Sequence, residues 1–167
     1  AKQEGDKLGF VVMKGWEITR SKPLGHLNAL FINDSNALDV EDPLQAIDIA
    51  HAQGAYIIWN HPGWPDNKST FYPVHDELIK AGKIDAYEAY NYTESYPLTF
   101  DWYAQYGIAP MANTDIHGTT AIDYGCEKGW MRPMTLVFAT ERTEASLREA
   151  LEAKRTLAFF FGNLVGD

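Results

Sequence analysis

Short apolar runs alternate along the chain with segments whose apolar residues recur every three or four positions. That is the pattern of an α/β protein with a mainly parallel sheet or barrel. Residues 9–16, 55–59, 85–90 and 108–112 are apolar and rich in β-branched or aromatic side chains, which predicts four strands; 27–32 and 135–138 are predicted as further strands.

The predicted helices carry their own punctuation. Asp42 followed by Pro43 reads as an N-cap and first helical residue, Leu44 and Ile47 supply an apolar stripe, and Gly54 stands where a left-handed residue stops the helix. A second helix runs over 73–81 and ends at Gly82. A third runs over 97–106, with Leu98, Trp102 and Tyr106 at a spacing of four, and ends at Gly107. Thr143 opens a last helix in which Leu147, Ala150 and Leu151 share a face. With no linker, repeat or low-complexity tract, 1–167 reads as a single domain. The chain has no initiator Met and opens almost directly on a strand-like run, so it reads as a piece cut from a longer protein.

Composition narrows the chemistry. At 46% hydrophobic and 22% charged residues the chain is an ordinary globular one. A net charge of −9 argues against a broad basic surface for nucleic acid or anionic membrane, while a small anionic substrate stays open because a bound cation reverses the local field. A single cysteine, Cys126, excludes an internal disulfide and any Cys-rich zinc cluster, so a metal here needs imidazole and carboxylate ligands. No apolar run approaches the roughly 20 residues of a membrane span, and residues 1–7 are not a signal peptide.

Functional side chains of parallel α/β folds gather at the carboxyl ends of strands. Here the run at 11–16 leads to Glu17, the run at 57–60 to His61, and the run at 110–114 to Asp115 and His117. Asp115 and His117 lie two apart, so an extended backbone projects both to one side, and Gly118 lets the chain turn after them. Each histidine alone reads most simply as a packed or surface imidazole; the combination with Glu17, His26 and the tripeptide Asn60-His61-Pro62 points to a shared metal site. His51, on the stripe of a helix, reads as a boundary residue of the core. His75, in a first helical turn after Phe71-Tyr72-Pro73, reads either as a substrate contact or as a solvated residue.

The stretches Gly15-Trp16-Glu17-Ile18-Thr19-Arg20, Gly25-His26-Leu27-Asn28-Ala29, Trp59-Asn60-His61-Pro62-Gly63-Trp64 and Thr114-Asp115-Ile116-His117 resemble motifs of the PHP (polymerase and histidinol phosphatase) family, in their usual order and closest to a subgroup of phosphodiesterases. The resemblance implies part of a distorted (β/α)7 barrel with up to three divalent metals (zinc, manganese or iron). It implies Glu17 as a bridging ligand, with His26, His61, Asp115 and His117 completing the cluster. The family's opening His-x-His motif has no match in this chain. The implied activity is hydrolysis of small phosphomonoesters or phosphodiesters by metal-activated water, and the resemblance leans toward an exported protein.

Arg20, three residues beyond Glu17, reads as a catalytic phosphate clamp or as a surface ion pair, with Arg132 as a second candidate. Trp59, Trp64, Phe71 and Tyr92 supply rings that could stack on a leaving group or fill the core. Asn60 and Asn91 read as partners that orient ligands, and Asp66 and Glu94 as solvated surface acids. Competing readings are an amidohydrolase-type metal hydrolase, a catalytically silent PHP-like module that binds metal or phosphate, and a polymerase-associated proofreading domain, which the absence of a basic stripe disfavours.

Overall fold

A computed structural model describes residues 1–166. Helix α1 (Lys2–Leu8) leads to strands β1 (Gly15–Ile18) and β2 (Leu27–Leu30), then α2 (Pro43–Ala52), β3 (Tyr56–Trp59), α3 (Pro73–Lys80), β4 (Ala86–Asn91) and the short β5 (Glu94–Ser95). Next come α4 (Trp102–Tyr106), β6 (Ala109–Asn113), α5 (Thr120–Asp123), β7 (Met134–Val137), α6 (Glu144–Glu152), β8 (Thr156–Phe160) and β9 (Asn163–Val165).

Six strands form one sheet, in the order β1, β2, β3, β4, with β6 beside β4 and β5 returning on the tip of β4; β7, β8 and β9 form a second, antiparallel sheet. The expectation of a mainly parallel sheet needs correction. β3, β4 and β6 run parallel, whereas β2 runs antiparallel to both β1 and β3. Neither sheet closes into a barrel among the described residues. The architecture shown is therefore a mixed α/β fold.

This topology explains how the site is assembled. β1, β3, β4 and β6 all point the same way, so their carboxyl ends share one edge of the sheet; β2 runs against them, so its amino end reaches that same edge. Side-chain alternation along β3 fixes the two cores. Ile57 and Trp59 enter a large cluster with Ile47, Leu78 and Trp102, while Tyr56 and Ile58 face the opposite cluster with Met111 and Leu151. All four residues of β3 are buried, as a strand covered on both faces must be.

The capping signals hold at two helices. The Asp42 carboxylate accepts the Leu44 N–H at 2.9 Å, and the Thr143 hydroxyl accepts the Ser146 N–H at 3.2 Å. Gly54 adopts φ 76, the left-handed value its position required.

Other expectations change. The strand predicted over 9–16 is confined to Gly15–Ile18, because Val11, Val12 and Met13 have β-propensity without a pairing partner, and the preceding polar residues coil into α1. The helix predicted over 97–106 divides into a 3₁₀ turn at Pro97–Thr99 and α4, so Leu98 is exposed instead of continuing a stripe. On α2 the buried face is Ala46, Ile47 and Ala50; Leu44 is exposed, and so is His51, which was expected at the core boundary. Among the described residues, no helix is long and apolar enough to cross a membrane.

Candidate functional site

Glu17 sits near the end of β1 and His26 just before β2, where the antiparallel register pairs Ile18 with Leu27 and sets the two side chains close together. His26 Nδ1 lies 3.0 Å from Glu17 Oε1, and the same carboxylate oxygen accepts the Thr19 hydroxyl at 2.6 Å. The carboxylate and the imidazole thus stand side by side at one strand edge. The next strand is tied in by its backbone, since the Asn60 N–H donates to the His26 carbonyl at 2.9 Å.

His61 follows β3 in a left-handed backbone conformation, φ 26, and is buried. Burial, followed by the neighbouring His26 ring at a centroid distance of 4.7 Å, lowers its pKa and favours the neutral, ligating form. Its backbone is held from below. Glu88 Oε2 accepts the His61 N–H at 2.7 Å and the Asn91 amide at 2.7 Å, and Glu88 Oε1 accepts the Asn113 amide at 2.9 Å. One carboxylate thus joins the carboxyl ends of β3, β4 and β6.

Glu88 was not found by sequence reasoning. It is fully buried, which pushes its pKa up to about 7 against the opposing pull of three N–H donors. A bulge in the β4 to β6 register lies between Glu88 and Tyr90, a place where strands commonly re-aim a side chain. The available signal was a single acid inside the otherwise apolar run Ala86-Tyr87-Glu88-Ala89-Tyr90.

Asp115 and His117 do not form the extended pair expected. β6 ends at Asn113, Asp115 turns left-handed at φ 47, and His117 folds back so that its Nδ1 donates to the Asp115 carbonyl at 2.7 Å, leaving Nε2 with its lone pair. Gly118 lies close to Asp123: a Cβ there would meet that carboxylate at 2.9 Å and displace it. The Tyr124 hydroxyl braces the turn by donating to the Thr114 carbonyl at 2.6 Å.

Glu17, His26, His61, Asp115 and His117 all line one cavity of ≈ 860 Å³, with Glu94 and Asp123 on its wall. Glu94 is exposed, as expected of a solvated acid, and also accepts the Tyr96 hydroxyl at 2.7 Å beside this cavity. The donor chemistry fits a divalent cation, with three imidazoles beside carboxylates. Among the described residues, however, no three such side chains converge into a metal-holding group.

The remaining candidates lie elsewhere. Arg20 lines a second, smaller cavity of ≈ 250 Å³ and donates to the Thr19 and Val40 carbonyls, each at 2.7 Å, so it is not a surface ion pair. Arg132 is exposed and lines neither cavity. His75 is buried and not solvated. Its Nδ1 accepts the Tyr72 N–H at 3.1 Å, its Nε2 donates to the Leu24 carbonyl at 2.9 Å, and its ring stacks on Trp59 at 3.6 Å. Phe71 packs on Tyr106 in the core, whereas Trp64 and Tyr92 are exposed at the large cavity. Asn91 serves the His61 backbone through Glu88, and Asp66 pairs with Lys22 at 2.7 Å.

No protein-family model matches the chain, and no curated protein matches it in sequence. Among solved structures it is similar to a two-domain protein of Bacteroides vulgatus that contains a predicted PHP-like metal-dependent phosphoesterase, with a TM-score of 0.95 and 38% identity. That likeness covers 99% of this chain and 49% of the other, so the chain spans about half the length of the solved protein. At this identity the likeness extends from fold to sequence and supports kinship with PHP-like proteins.

Proposed function

We propose that the large cavity is the centre of a PHP-type hydrolase acting on small phosphomonoesters or phosphodiesters with the help of divalent zinc, manganese or iron. The observation that carries this reading is the gathering of Glu17, His26, His61, Asp115 and His117 around one cavity from four separate strand ends. The likeness to a protein described as metal-dependent lends it further support.

His26, His61, Asp115 and His117, with Glu17 beside them, would hold the metal. When bound, the cation supplies Lewis acidity at the phosphoryl oxygens and neutralises their charge. The Asp115 carbonyl holds the ring of His117, Glu17 lies beside the ring of His26, and Glu88 fixes the backbone of His61. In the reaction water forms the new O–P bond, the ester P–O bond breaks, and the departing oxygen takes up a proton. Arg20 and His75 stand outside this centre. Arg20 faces the smaller cavity, and His75 braces the loop at Leu24.

Hydrolysis of bis-p-nitrophenyl phosphate and p-nitrophenyl phosphate by manganese- or zinc-supplemented protein tests the reading. Turnover that falls at least about 100-fold in His61→Ala is expected. Equal turnover by wild type and His61→Ala contradicts it. A second reading, a module that binds metal or phosphate without turnover, is favoured by the failure of three side chains to converge, and it predicts metal-dependent phosphate binding with no hydrolysis.

A further inference from the structure

The smaller cavity shares His26, His61 and Trp64 with the larger one, and the three rings lie within 5.5 Å of one another. Its other walls are chiefly apolar: Leu24, Pro62, Trp59 and Tyr72. Both faces of Trp59 are already covered, by His75 at 3.6 Å and by Trp102 at 4.8 Å, so Trp59 can offer only an edge. Trp64, 51% exposed, lines the same cavity and is only partly covered by the rings of His26 and His61. Two indoles lining one small apolar space suit a planar ring, because aromatic groups prefer offset-stacked and edge-to-face neighbours.

Size and charge narrow the occupant. Whole ligands occupy pockets of about 300 to 1,000 Å³, and benzene fits a cavity of about 150 Å³, so ≈ 250 Å³ holds one substituted ring and not an entire substrate. Lys22 lies 2.7 Å from the Asp66 carboxylate, which meets its charge, and Arg20 directs two of its donors to backbone carbonyls. From these observations we infer that the smaller cavity binds the monocyclic aromatic substituent of a phosphoester whose phosphoryl group lies in the larger cavity. This inference rests on the phosphoesterase reading for the phosphoryl half and on the cavity alone for the ring half.

Calorimetric titration of manganese-supplemented protein with phenyl phosphate and methyl phosphate tests it. Phenyl phosphate is expected to bind at least about tenfold more tightly, because ring burial adds to a common phosphoryl contact. Filling the cavity with Thr70→Trp, or closing it from the exposed Ser21 with Ser21→Trp, is expected to bring that ratio close to one and leave methyl phosphate binding unchanged. A ratio of one in wild type, or a ratio that survives in both variants, overturns the inference.

A parallel titration of metal-free protein with phenol, followed at the Trp64 indole N–H by NMR, separates the two readings. If neither phosphate binds, the phosphoesterase reading fails and the phenol arm decides the ring site. A Trp64 shift lost in the filled variants upholds that site, and no shift overturns it.

Discussion

Glu88 receives three N–H bonds from three different strand ends in a place hidden from solvent, so its removal leaves several donors without partners. Glu88→Ala is expected to lower stability by about 3 kcal/mol or more, measured by urea unfolding, since each buried donor left unpaired costs about 1–3 kcal/mol. Glu88→Gln, which still accepts from His61, is expected to lose less. His75 gives a pH signature. Burial lowers its pKa from 6.5 to about 4, and the neutral ring uses both nitrogens, whereas a protonated Nδ1 would face the Tyr72 N–H donor. A depressed folded pKa means that stability is complete above pH 6.5 and is lost as pH falls toward 4, by up to about 3 kcal/mol. Unfolding curves at pH 7 and pH 4.5 should therefore converge partly when wild type is compared with His75→Gln; an identical pH slope in the two proteins contradicts this. Four of the five cavity residues were legible in the sequence because each follows an apolar run; His26 precedes one and was legible only through its motif, Gly25-His26-Leu27-Asn28-Ala29. Glu88 and His75 were not, since a lone acid in a strand and a histidine in a first helical turn ordinarily face water, and only tertiary contact decides otherwise.

Among elements, α2 was read correctly at both ends because Asp42, Pro43 and Gly54 act locally, through a cap, a fixed φ and a left-handed turn. Asp42→Ala is accordingly expected to cost about 1 kcal/mol in thermal or urea unfolding, with no effect on the large cavity. α1 and the break before α4 were not legible. Their outcome depends on whether a segment finds a strand partner or a buried stripe, and propensity does not encode that. The antiparallel course of β2 escaped notice for the same reason. It nonetheless has a functional result, because reversing β2 brings His26, at a strand's amino end, to the edge where the other strands deliver Glu17, His61 and Asp115.

At the scale of the whole molecule, a net charge of −9 and a cavity walled by Glu17, Glu94, Asp115 and Asp123 repel an anion unless a cation intervenes. Inorganic phosphate is therefore expected to bind in the presence of manganese or zinc and to release when EDTA is added; calorimetry that finds equal binding in EDTA contradicts this. Metal stoichiometry tests the central claim most directly. Elemental analysis of wild type and of the His61→Ala, Asp115→Ala double variant, after manganese or zinc loading and dialysis, is expected to find about one or more ions per chain in wild type and few or none in the variant. A wild-type chain that retains no metal, or a variant that retains as much, contradicts the assignment of this cavity as a metal centre.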